Sequence, residues 1–104
     1  MMIKHALLAR FEARPGKEDD VARILGAALE MANQEASTPL WFALKLSERV
    51  FGVFDAFETE AARQAHLDGP IAKALMASAD ALFVRQPEIE AVEVLGLKNA
   101  ALAS

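Results

Sequence analysis

Between Leu40 and Phe57 the chain alternates with a period of two on either side of a short polar break, Ser47-Glu48-Arg49. That pattern is a pair of antiparallel strands joined as a hairpin. Leu40, Phe42, Leu44 and Leu46 share one face of the first strand, and Trp41, Ala43 and Lys45 the other. In the second strand, Phe51, Val53, Asp55 and Phe57 oppose Val50, Gly52, Phe54 and Ala56. Both faces of both strands are therefore largely apolar, whereas a one-layer antiparallel sheet ordinarily keeps one face wet. Helices can cover one face, and a second copy of the sheet is the simplest cover for the other. Composition points the same way. A chain of 104 residues that is 54% hydrophobic, with a mean hydropathy of +0.19, holds more apolar material than a small monomer easily buries.

The flanking segments supply the rest of the sheet and its helices. Ile3 to Ala13 alternates as a strand, with His5 between Ile3 and Leu7 on its apolar face, and Arg14-Pro15-Gly16 turns the chain. Lys17 to about Glu35 reads as a helix, with acidic Glu18, Asp19 and Asp20 at its positive end. Val21, Ile24, Leu25, Ala28, Ala32 and Glu35 fall on one stripe of it. Gly26, costly in mid-helix, is explained if it lets this helix approach the sheet closely. After the hairpin, Thr59 is positioned as an N-cap for a helix ending near Leu67. Asp68-Gly69-Pro70 then stops that helix, with Gly69 in the left-handed position, and starts another that runs to about Phe83. Glu88 to Leu97 is a last strand. The order β-α-β-β-α-β is the ferredoxin-like arrangement, an α+β fold with an antiparallel sheet. Residues 1–97 are expected to form a single domain, with 98–104 a loose tail or a dimer arm.

Charge and composition exclude several functions. A net charge of -4 argues against nucleic acid, which asks for a basic face. With no cysteine, disulfides and thiolate catalysis are excluded. No apolar run approaches the ~20 residues of a membrane span. No signal peptide is read, because Arg10 and Glu12 break the first apolar stretch, so a cytoplasmic protein is expected. The two histidines are far apart and match no standard metal site. There is no phosphate-binding glycine loop and no nucleophile elbow.

A few side chains can carry chemistry. His66 is either a general base, titrating near neutrality, or a helix-end histidine bonded to backbone. Asp55, a carboxylate among apolar neighbours, must pair or shift its pKa. It is either a catalytic acid or half of an ion pair with Arg63, which holds helix to hairpin. Arg63 and His66 share a helix face and could share an anion. Trp41, the only tryptophan, either lines a flat aromatic site or fills core or interface. His5 is a pocket ligand or a satisfied core histidine. Asn33, near the end of the first helix, is a pocket donor or a cap.

The stretch Thr38…Trp41…FGVFDAFETEAARQAHLDGPIAKAL, together with the RPGK turn and the long first helix, resembles the antibiotic biosynthesis monooxygenase family of dimeric α+β barrels. In a subgroup of that family Asp55, Phe57, Glu60, Arg63, His66 and Gly69 recur at these spacings. The resemblance covers nearly the whole chain. It implies a homodimer packed through its sheet faces, and in each subunit a pocket between sheet and helices for a small apolar or aromatic ligand, with Phe57 beside it. It also implies a monooxygenase that acts without metal, flavin or other cofactor on an aromatic, quinol or polyketide-like substrate. A base would deprotonate the substrate and an apolar pocket would hold the anion beside dioxygen. A haem-degrading branch uses an asparagine from the first strand, where this chain offers His5. The same scaffold also admits a non-catalytic ligand-binding dimer and an acid/base isomerase that needs no oxygen.

Overall fold

The computed structural model describes residues 2–98. The expected tail therefore lies, apart from Lys98, outside the described residues. Four strands and four helices follow one another as β1 (His5–Glu12), α1 (Glu18–Asn33), β2 (Leu40–Lys45), β3 (Val50–Phe57), α2 (Glu60–Leu67), α3 (Pro70–Ala77), α4 (Ala79–Leu82) and β4 (Glu88–Glu93). The strands form one sheet in the order β2-β3-β1-β4, and every neighbouring pair is antiparallel. This is the ferredoxin-like α+β fold that the order of elements predicts.

Register decides what the sheet presents. Trp41 lies opposite Asp55, Asp55 opposite Leu7, and Leu7 opposite Ala91. Because side chains alternate along a strand, this row faces one side and the next row, Leu40-Ala56-Ala6-Val92, faces the other. The first side is covered by helices. Phe11, Phe51 and Val53 pack there with Val21, Leu25 and Ala28 of α1 and with Ile71 and Leu75 of α3. Phe83, just after α4, closes the end of this core, its ring centroid 5.2 Å from that of Phe11.

Among the described residues no helix covers the second side. Ile3, Ala6 and Ala56 are buried there under Leu40, Phe54, Val92 and Val94, but Phe42 remains 48% and Leu46 44% exposed. The ring of Phe42 stands 6.2 Å from that of Phe54. The two-sided apolar pattern of the hairpin is thus real, with Trp41 on the helical side and Phe42 on the open one. Gly52 makes the open face flat. A Cβ at this position would stand 3.0 Å from the carbonyl oxygen of Ala9 and 3.4 Å from Leu46.

Local details depart from the sequence reading for identifiable reasons. Gly26 is on the solvent side of α1, and an added Cβ would meet nothing within 4 Å, so it gives no close approach to the sheet. Gly69 is not left-handed: its φ is -90° and it is the N-cap of α3. A side chain is disfavoured there because a Cβ would sit 3.3 Å from the carbonyls of Ala65 and His66. The segment after Pro70 is two helices, interrupted at Ser78, whose hydroxyl bonds back to the carbonyl of Ala74. The regular part of β4 ends at Glu93, although Val94 N–H still bonds the Lys4 carbonyl at 2.8 Å. Among the described residues no helix is long and apolar enough to cross a membrane.

Thr59 is the N-cap read from the sequence, its hydroxyl accepting from Ala62 N–H at 3.0 Å. A helix of eight residues depends on such a bond, since isolated helices this short are marginal. Thr59→Ala is expected to cost about 1 kcal/mol, seen as a Tm lowered by roughly 4–8 °C in calorimetry.

Candidate active site

α2 has one buried residue, His66, in its last turn. Its imidazole is held at both nitrogens. Nε2 lies 3.0 Å from Asp55 Oδ2, and Nδ1 lies 2.8 Å from Glu35 Oε1. The side chains of His66 and Asp55 are 6% and 3% exposed. Thr38, also buried, donates its hydroxyl to the same Glu35 Oε1 at 2.8 Å. Phe57 backs the imidazole, with ring centroids 5.3 Å apart. Four segments therefore meet at one histidine: the α1–β2 loop through Glu35 and Thr38, β3 through Asp55 and Phe57, α2 through His66, and β2 through Trp41 beside Asp55.

Proton counting fixes the chemistry. Ionised carboxylates only accept hydrogen bonds, and a neutral imidazole carries a single N–H. Two short nitrogen–carboxylate contacts therefore require two shared protons: either His66 is an imidazolium between two carboxylates, or one carboxyl group is protonated. The trio carries a net charge of -1 in both cases. Burial disfavours the charged imidazole, but the hydrogen bonds and charges of Asp55 and Glu35 outweigh it and hold the His66 pKa above the ordinary histidine value.

Beside this trio is a narrow cavity of ≈ 50 Å³, lined by Trp41, Asp55 and His66 and otherwise by apolar side chains such as Leu7, Val53 and Ile71. Two polar atoms of its lining residues have no hydrogen-bond partner, the Trp41 Nε1 donor and the Asp55 Oδ1 acceptor, and both are buried. Half-exposed Met76 and Ile89 stand at its outer side.

The sequence candidates divide accordingly. Trp41, Asp55 and His66 come together at the cavity, and Phe57 supports the imidazole from behind. His66 does not bond to backbone, as a helix-end histidine would; both its nitrogens go to carboxylates. The Asp55–Arg63 ion pair does not form. Arg63, three residues before His66, is about one turn nearer the start of α2. There its guanidinium donates to the Ala6 carbonyl at 3.3 Å and stands 3.6 Å from Glu60. Arg63 and His5 line a separate, wider groove with Lys4 and Glu93, so neither reaches the cavity. Asn33 is exposed at the end of α1, away from the cavity's lining residues. Sequence reasoning misses Glu35 and Thr38 as site residues, although a charged residue on the core-facing stripe of the first helix is a signal for Glu35. Both His66 nitrogens are engaged, and among the described residues no group of three His, Cys, Asp or Glu side chains is placed to hold a metal ion.

The fold and this buried trio define a ferredoxin-like α+β protein with a pocket between sheet and helices. Among solved structures, NE2512 from Nitrosomonas europaea, a protein of unknown function, is 54% identical over 94% of this chain and 95% of its own, with a TM-score of 0.91. At that identity the chain belongs to one family with the Nitrosomonas protein. Two proteins provisionally named antibiotic biosynthesis monooxygenases share the fold. One is from Deinococcus radiodurans (18% identity, 91% of this chain and 96% of that chain, TM-score 0.77). The other is from Caulobacter crescentus (18%, 90% and 92%, TM-score 0.74). No family model matches the chain, and no curated protein matches it.

The raised His66 pKa has a consequence for stability. A group whose pKa is higher in the folded than in the unfolded state contributes stability that is complete below its unfolded value and is lost as pH rises through the folded value. Urea unfolding is therefore expected to show stability falling from about pH 6.5 upward into the alkaline range. His66→Gln should flatten that slope, leaving a less stable protein with little pH dependence in this window.

Proposed function

We propose that this cavity is the active site of a monooxygenase of the antibiotic biosynthesis type, with Asp55 rather than His66 as the base that meets the substrate. The supporting observation is that Asp55 Oδ1 and Trp41 Nε1, on cavity-lining residues directly opposed across β2 and β3, are both without a partner. His66 has no nitrogen left for a substrate, whereas Asp55 is anchored through Oδ2 and keeps one oxygen unpartnered. A phenolic or enolic O–H gives its proton to Oδ1, and its bonding pair stays on the substrate oxygen. The indole N–H stabilises that oxyanion, and the apolar walls keep water from it. The electron density spreads to a ring carbon, which combines with dioxygen. For a phenol, one substrate molecule and one dioxygen give one benzoquinone and one water. One ring C–H and the phenolic C–O–H both become C=O, and the ring loses four electrons. The two hydrogens released leave with the second oxygen atom as the water. The substrate supplies the electrons. His66 and Glu35 position Asp55 and share its proton.

Oxygen-electrode measurements across phenols and quinols test the proposal. Asp55→Asn is expected to lower turnover by roughly 10²–10⁴-fold, the usual weight of a general base, with the far-UV circular dichroism unchanged. The same base can move protons without oxygen, so turnover that persists anaerobically would instead identify an isomerase. Saturable binding with no turnover of any kind would identify a ligand-binding protein.

The open sheet face supports a homodimer as the working unit. Leu8, Phe42, Leu44, Leu46 and Phe54 share this face, and Phe42 and Leu46 are nearly half exposed. Such an apolar patch calls for a partner, and the same patch on a two-fold copy is a self-complementary one. Phe42→Glu is expected to give a monomer by light scattering, and Leu44→Glu the same or an unfolded chain. Stable dimers from both variants would mean that this face is not the interface.

A further inference from the structure

Taking the cavity to be the site, as above, we propose that its ligand is a neutral molecule of a single ring, whose hydroxyl donates to Asp55 Oδ1 and accepts from Trp41 Nε1. Monocyclic phenols and cyclic enols are the chemical class; carboxylated and fused-ring analogues are excluded. Three features of the site carry this.

The first is the polarity of the two orphan atoms. One is a donor that cannot accept, the other an acceptor. Leaving either unpaired and buried costs about 1–3 kcal/mol, so a ligand that satisfies both gains on both. Trp41 and Asp55 are directly opposed across β2 and β3, where Cβ atoms lie roughly 4.5–5.5 Å apart. A single hydroxyl group, donor and acceptor at once, is the smallest group that answers the pair.

The second is charge. The buried trio has a net charge of -1, or -2 once His66 loses its proton. Lys4 and Arg63 line the other groove, and the remaining cavity walls are uncharged. A second anion would be desolvated beside Asp55 with no counter-ion, whereas a neutral hydroxyl would not.

The third is space. The cavity of ≈ 50 Å³ is about a third of the ~150 Å³ that a dry apolar cavity uses to take benzene. Outward movement of Met76 and Ile89, both exposed by nearly half, can admit one ring. A fused second ring needs more room than that movement gives, between Met76 at the mouth and the buried Val53, Ile71 and Leu75 behind it.

Trp41 is the only tryptophan, so its fluorescence reports on the cavity whether or not turnover occurs. Titrations at pH 7 with phenol, benzene, 4-hydroxybenzoate and 2-naphthol are the test. Phenol is expected to shift or quench the emission saturably, and the other three to bind at least tenfold more weakly. Asp55→Asn should narrow the gap between phenol and 4-hydroxybenzoate. Met76→Ala, a change at the exposed mouth, should let 2-naphthol bind and keeps the test open if the Asp55 variant does not fold. Binding of 4-hydroxybenzoate or 2-naphthol to the unaltered protein as tightly as phenol would overturn the proposal. So would silence toward phenol, which would mean that the indole and the carboxylate satisfy each other. Phenol binding with no oxygen uptake would retain this ligand class and remove the monooxygenase. Oxygen uptake with 2-naphthol, and no phenol binding, would do the reverse.

Discussion

One imidazole held between two carboxylates organises this molecule. Asp55 belongs to the sheet, Glu35 to the loop after the long helix, and His66 to the short helix between them. Ionised carboxylates alone would repel one another in an apolar interior, and the imidazole supplies the proton that makes their proximity favourable. Thr38 adds a second donor to Glu35. Secondary structure alone gives the short helix little reason to lie where it does, and these contacts define its position.

That same arrangement bears on which group is free to act. A histidine near neutrality is the natural choice of base in a short sequence, but here both ring nitrogens are occupied. The buried oxygen left without a partner is on Asp55, and Trp41, opposite it across the strands, has an indole nitrogen left without one. In the proposed site, the atom left without a partner once the fold is complete matters more than the residue that titrates most conveniently. Removing either carboxylate would leave the imidazole with one of its two anionic partners and a ring nitrogen unpaired, so the trio acts as a unit.

The order of elements, the hairpin and its two apolar faces were legible because strands report their periodicity directly. Thr59 as a cap was legible for a similar reason, being a local signal with a local partner. The pairing of Asp55 was not. Arg63 and His66 stand three apart on the same helix, and a one-turn difference in height decides which of them meets the carboxylate. Sequence spacing does not resolve that height without knowing how the helix sits on the sheet. Glu35 is hard to read for a related reason: the sequence pattern puts it on the helical stripe, whereas the helix ends at Asn33, and the partner of Glu35 is 31 positions away. Gly69 shows a third kind of error. A glycine before proline suggests a left-handed residue, whereas the requirement is room beside two carbonyls.

The shortness of α2 has its own consequence. Its two turns are fastened at the start by a hydroxyl cap and near the end by the histidine. Between these points Ala62 and Arg63 are half-buried, and Ala61, Gln64 and Ala65 face solvent. An element so lightly attached can detach as a unit while the sheet and the long helix stay intact. When it does, the imidazole leaves with it, and two carboxylates on different segments lose their common proton at once. The pocket is then a property of one local equilibrium rather than of the whole native state, and its lifetime is that of a two-turn helix on a sheet.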